Sequence, residues 1–285
     1  MSAPAFTGQS AATSVLMSAT TRSRPVVFVE GACEARLFSH HYPEYREQIV
    51  ACGGHAGVKE ALTVIEKWER TRNVTLHVLG FIDRDYGSHT SYPRITVTTN
   101  RDIEIDLYMT PAAERLLAEK ASTSKCPDPR VAISGAMGEM RVFGLIRKFN
   151  CDSSCLWSLN HIDLQRCVTS DGSLDADRLI SVVLQTNGVD KATAKLLRAY
   201  IKSNPQIRTE SIIRGHDVSV LIGKWLRRRI GNRNQDETNW TCIEEDLRLA
   251  TRLAELNTFT WAKDIDAHLH GVKVPDRSRA LSGRA

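Results

Sequence analysis

The stretch VTLHVLGFIDRDYG, residues 74–87, is an apolar run that breaks abruptly into acid, base, acid. A short apolar segment bounded by polar residues reads as a buried strand. If extended geometry continues through the acids, Asp83 and Asp85 project from one face and Arg84 from the other, because strand side chains alternate. Two neighbouring carboxylates repel. To stay charged together they need a cation, a shared proton or strong hydrogen-bond donors.

Working outward, PVVFVEG (25–31) reads as a strand, EARLFSHHY (34–42) as a short helix and QIVACGG (48–54) as a second strand. AGVKEALTVIEKWERT (56–71) places Val58, Leu62, Ile65 and Trp68 on one helical stripe before the opening stretch supplies the third strand. Strands alternating with helices predict an α/β domain with a parallel sheet flanked by helices. RITVTT (94–99) predicts a fourth strand, NRDIEIDLYM (100–109) either a helix or an extended segment, and Thr110-Pro111 a capped helix start. After CPDP (126–129) the strand signal fades, and five amphipathic segments follow. The expected layout is a disordered tail over 1–24, a sheet domain over 25–122 and a mostly helical region over 123–285.

Composition narrows the class. The chain has 285 residues, 42% of them hydrophobic, which is enough to bury a substantial core. No apolar run approaches the roughly 20 residues needed to span a bilayer. Seven cysteines, odd in number and irregularly spaced, favour a reducing cytoplasm. Cys151, Cys155, His161 and Cys167 match no familiar zinc spacing and read as scattered small residues. The tail reading rests on a Ser-, Ala- and Thr-rich stretch without an acidic residue. Net charge is +5 and uneven: Arg208, Arg214, Lys224, Arg227, Arg228, Arg229 and Arg233 face only Glu210 and Asp217 within 208–233. That run fits a polyanionic partner, or equally a solvated face.

The acids sit where parallel strands leave their ligand site, outside the carboxyl ends. Glu30 ends the first strand, and Asp83 and Asp85 end the third. Glu34 lies four residues after Glu30, within reach of the same place, and Glu104 or Asp106 could add a ligand after the fourth strand. Such all-oxygen donors suit Mg²⁺ or Mn²⁺ better than zinc, and the chemistry implied is phosphodiester cleavage or transfer.

VFVEGACE, the glycine-rich CGGHAGVKEAL, LGFIDRDYG and TNRDIEIDLYM together resemble the TOPRIM domain over about residues 25–110. More closely they resemble the stand-alone TOPRIM nucleases of the overcoming-lysogenization-defect-like group, in particular the nuclease subunits of the PARIS anti-phage defence system. A weaker likeness extends into SLNHIDL and GHDVSVLI. The resemblance implies a metal-dependent nuclease effector, a toxin directed against tRNA and restrained by a separate ATPase subunit until phage sensing, with a possible homodimer when active. It implies Glu30 as a metal-associated acid or base, Asp83 and Asp85 as metal ligands, and Glu34 and Glu104 as candidate second-ion ligands. Gly87 stands where a third acid of an Asp-x-Asp-x-Asp pattern would be, which favours the nuclease branch over the topoisomerases.

Lys59, in the helix after Gly53-Gly54, is a candidate phosphate contact, and the double glycine suits a close turn with free amides at a helix start. His55 could help bind RNA or metal, but an ordinary capping or surface histidine is the simpler reading. In GHDVSVLIGKWLRRRI (215–230), Val218, Leu221, Ile222 and Trp225 form an apolar face. Three consecutive arginines fan over about 200° of such a helix, so some point outward. Lys224, Arg227 and Arg228 are therefore candidate substrate contacts. Two other readings remain. One is a non-catalytic module that docks a basic partner through its acids. The other is a phosphohydrolase of the haloacid-dehalogenase kind, whose nucleophilic Asp would follow the first strand, where this chain has Glu30.

Overall fold

The computed structural model describes residues 7–86, 93–231 and 233–271. In chain order the elements are α1 (Gly8–Met17), α2 (Ala19–Arg22), β1 (Val26–Val29), α3 (Ala32–His41), β2 (Ile49–Ala51), α4 (His55–Arg72), β3 (Val78–Ile82), β4 (Ile95–Val97), α5 (Ile103–Tyr108) and α6 (Pro111–Lys120). There follow α7 (Pro129–Asp152), α8 (Ala176–Thr186), α9 (Lys191–Ser203), α10 (Gly215–Arg228), α11 (Trp240–Ala250), α12 (Leu253–Leu256) and α13 (Thr260–Leu269). The fold is α/β, with a four-stranded parallel sheet flanked by helices. Gly87, the position of the missing third acid, lies outside the described residues. No helix among the described residues is long and apolar enough to cross a membrane.

The chain divides into two compact units, one running to Thr99 and resuming at Arg252, the other from Asn100 to Thr251. This differs from the expected boundary at 122/123. The reason is packing: α5 and α6 bury their apolar faces on α10, α11 and α7, whereas α13 returns to β1, β3 and β4. A short helix with an apolar stripe joins whichever layer completes that stripe, and sequence distance does not decide which.

In the first unit the strand order is β2-β1-β3-β4, all parallel, with Val27 opposite Ile49, Phe28 opposite Gly80 and Ile82 opposite Val97. Both faces are covered, so the strands are continuous apolar runs. On one face Val26, Phe28, Val78 and Ile82 pack with Val58, Leu62 and Ile65 of α4 and with Ala11, Ala12 and Val15 of α1. On the other, Phe38 of α3, Phe81 of β3 and Trp261 of α13 form an aromatic trio with ring centroids 5.1–5.9 Å apart. Gly80 keeps β3 close to α4, since a Cβ there would come within 2.8 Å of the Val58 side chain.

The expected disordered tail is, from residue 8, a helix. Thr7 caps α1 through its side chain, with Ser10 returning the bond to the Thr7 amide. Gly8 lets α1 approach α4 at backbone distance, because a Cβ would sit 2.0 Å from the Gly57 carbonyl. A stretch rich in Ala and Ser has too few large apolar residues to show a helical stripe, yet its small side chains suit such a close approach.

In the second unit the 24-residue α7 is held to α10 by a buried ion pair, Arg147 to Asp217, at 2.8 and 3.0 Å. The segment left open between helix and extended chain is helical, as α5, and Asp102 both caps it at the Ile105 amide and accepts the Gly215 amide at the start of α10. Thr110 caps α6 as expected. Within GHD, then, Gly215 and Asp217 are engaged in interior packing.

Candidate functional site

Strand order reverses at β1: the chain goes from β1 through α3 to β2 on one side, then through α4 to β3 on the other. The crevice at the carboxyl ends of β1 and β3 is therefore the topological switch point, where ligands of open α/β sheets bind. Glu30 follows β1 directly and Asp83 follows β3 directly. They meet there: the Glu30 carboxyl accepts the Asp83 backbone amide at 2.9 Å.

Glu30 is also tied to the start of α4. Its carbonyl accepts the Gly54 amide at 2.8 Å, its carboxyl accepts the His55 amide, and His55 Nδ1 lies 3.7 Å from Oε1. Gly53 and Gly54 carry φ of 77° and 105°, left-handed values that let the chain turn sharply enough to aim these amides inward. The amides that the double glycine was expected to offer an anion are thus in part taken by Glu30. Lys59 is one turn further along α4 and half-buried. His55, the first residue of α4, sits beside Glu30, which agrees with the site role weighed for it as well as with its position at a helix start.

Burial pushes the Glu30 carboxyl up from 4.5 to about 7, the two amides oppose that rise, and the charges of Asp85 and Glu34 add to it. Glu34, in the first turn of α3, accepts the Gly31 amide at 2.8 Å, which fixes the loop between Glu30 and the helix. Glu30, Glu34, Asp83 and Asp85 are therefore gathered in one unit, three of them electrostatically coupled.

The extended geometry through the acids does not hold. β3 ends at Ile82, and Asp85 sits in a turn with φ 47°, a left-handed conformation that Asp tolerates better than most residues. Arg84 is held to the neighbouring segment: its amide bonds the Thr98 hydroxyl at 2.9 Å and its Nε the Thr98 carbonyl at 3.0 Å. Asp83 and Asp85 share this site through a turn and not through strand alternation.

Glu104 and Asp106 belong to the other unit. Arg248 Nη2 bonds Glu104 at 2.7 Å and Glu244 at 3.2 Å. Asp106 is fully buried and accepts both the amide and the side-chain nitrogen of Asn100. Both carboxylates thus have protein partners within the helical unit.

Among the described residues no group of three or more His, Cys, Asp and Glu side chains converges as a ready-made metal site. The strand-end donors are nonetheless all carboxylates, with Glu30 partly desolvated and repelled by Asp85 and Glu34, and Asp85 exposed. That fits Mg²⁺ or Mn²⁺, which one or two carboxylates hold together with water and substrate phosphates.

The basic candidates lie on α10. Lys224 is buried, Arg227 half-buried and Arg228 exposed. Arg229 is structural, bonding Glu139 at 2.9 Å and lying 4.3 Å above the Trp225 ring. No protein-family model matches this chain, and no curated protein matches it either.

Proposed function

We propose that the chain is a divalent-cation-dependent nuclease on a TOPRIM-like sheet, the effector of an anti-phage defence system, cleaving RNA such as tRNA in the cytoplasm once released by an ATPase partner. One observation carries the catalytic part: the Glu30 carboxyl and the Asp83 amide are joined at the switch point of the sheet, with Asp85 and Glu34 close enough to act on Glu30 electrostatically. The defence role, the tRNA substrate and the ATPase partner rest on the resemblance carried by VFVEGACE, CGGHAGVKEAL, LGFIDRDYG and TNRDIEIDLYM.

In this reading Glu30 serves as acid or base, held in place by two backbone amides. Asp83 and Asp85 supply ligand oxygens, and Glu34 braces the Gly31 loop. Glu104, engaged by Arg248, is left out of the set. When bound, Mg²⁺ or Mn²⁺ supplies positive charge against phosphoryl oxygens and acidifies water. The test is to incubate the purified chain with labelled tRNA and with duplex DNA, with and without Mg²⁺ and with chelator. Expected is Mg²⁺-dependent tRNA cleavage that is lost in Glu30→Ala and in the double Asp83→Ala, Asp85→Ala variant. Variants that stay folded and cleave like the unmodified chain would sink the assignment.

A second reading is a non-catalytic module whose acids dock a basic partner. The lack of a converged three-donor group among the described residues favours it. It predicts no cleavage under any cation, together with salt-sensitive binding of a basic peptide that Asp85→Asn weakens.

A further inference from the structure

The helical unit holds a cavity of about 180 Å³ between α10 and the start of α11, lined by Lys224, Arg227, Gln235, Asp236, Asn239 and Trp240 among others. Lys224 is only 7% exposed, yet it makes no hydrogen bond or ion pair to any described residue. The charges that act on it are Arg227 and Arg228, which repel it, and Asp163, which attracts it less strongly. A largely buried lysine whose repulsion by two arginines outweighs its one attraction is costly to keep charged. An anion in the cavity would offset that cost.

Two further features point to what that anion carries. The 11-residue α11 begins at the cavity wall, with Asn239 capping the Thr241 amide, so the positive end of its dipole faces the same space. Trp240, its first residue, is 39% exposed, while its indole is steadied by His216 at a centroid distance of 4.1 Å. An aromatic ring fixed on one side and open elsewhere is a stacking platform for a base. The cavity is smaller than the roughly 300–1,000 Å³ of pockets that enclose a drug-sized ligand, so it suits a phosphate group with the rest of the ligand outside. Asp236 at the rim can accept from a ribose hydroxyl or a base amino group and disfavours a bare, highly charged polyanion.

We infer that this cavity binds the phosphate of a nucleotide through Lys224 and Arg227, with the base against the Trp240 indole. The site is independent of the acidic crevice and stands whether or not that crevice cuts nucleic acid. The phosphate could belong to a free nucleotide or to single-stranded RNA, since both present the same group.

The test is calorimetric titration of the full chain with AMP, inorganic phosphate, adenosine and a short single-stranded RNA. AMP should bind about tenfold or more tightly than inorganic phosphate, and adenosine weakest. Lys224→Met should weaken AMP at least about tenfold, and Trp240→Ala should bring AMP down to the level of inorganic phosphate. Circular dichroism checks folding, and Lys224→Gln replaces Lys224→Met if the latter does not fold. Tighter RNA binding assigns an internal phosphate as the natural occupant, and tighter AMP binding a free nucleotide. Equal affinity for AMP and inorganic phosphate, or unchanged AMP binding in a folded Lys224 variant, overturns the inference.

Discussion

The carboxyl of Glu30 accepts the backbone amide of Asp83 at 2.9 Å, so the end of β1 is latched to the end of β3 at the point where strand order reverses. The side chain that the nuclease reading needs for chemistry is also a structural clasp. Its removal therefore has to be tested for stability as well as for activity.

Glu30 provides that test in the cation-free protein. Burial is the largest cause of its rise from 4.5 to about 7, so the fold favours the protonated carboxyl. Its contribution to stability is complete below about pH 4.5 and is lost as pH rises through about 7. In urea unfolding with chelator, Glu30→Gln should be near neutral in acid. At about pH 8 it should be more stable than the unmodified chain by on the order of 2–3 kcal/mol. Adding Mg²⁺ at that pH should stabilise the unmodified chain, by about 2.7 kcal/mol at a concentration 100 times its dissociation constant, and do much less in Asp85→Asn. A Mg²⁺ effect of equal size in both chains would count against cation binding at this corner.

Trp261 closes the sheet face opposite α4 and is 1% exposed, between Phe38, Phe81 and Phe259. Trp261→Ala should cost about 3–5 kcal/mol in denaturant unfolding, as large-to-small core changes do. A loss within about 0.5 kcal/mol would mean that α13 is not part of the core.

Lys224 should show the opposite sign. Burial, then Arg227 and Arg228, lowers its ammonium from 10.5 to about 8, and Asp163 opposes this. The charged form is therefore a burden on the fold, complete below about pH 8 and gone above the ordinary lysine value. Lys224→Met should raise stability near neutral pH by on the order of 1 kcal/mol, and the gain should shrink as pH climbs from about 8 towards 10.5. Stability that rises while nucleotide binding falls marks a residue kept for its ligand. A clear loss of stability would mean that Lys224 has a structural partner.

The alternation of strands and helices from Pro25 to Thr99 was legible because buried parallel strands are unbroken apolar runs and α4 carries a full stripe. α1 was not, since Ala11, Ala12 and Val15 bury well but form too small a stripe to stand out. α13 was not read as a separate helix, and nothing in its own composition says that it returns to β1, β3 and β4. In the candidate site, Glu30, Asp83 and Asp85 were readable as acids at strand ends, whereas the turn at Asp85 and the seat of His55 beside Glu30 depend on neighbours distant in sequence.

By itself, then, the sequence determined the parallel α/β core and the placing of acids at the carboxyl ends of its strands, because both follow from local periodicity and from the direction of the chain. Only the tertiary structure decided which acids meet. Glu30 and Asp83 are joined across 53 residues, while Glu104 is claimed by Arg248, 144 residues away. The physical reason is that a carboxylate's role is set by the charges and amides that surround it in space, and those come from segments whose own sequence carries no trace of the encounter.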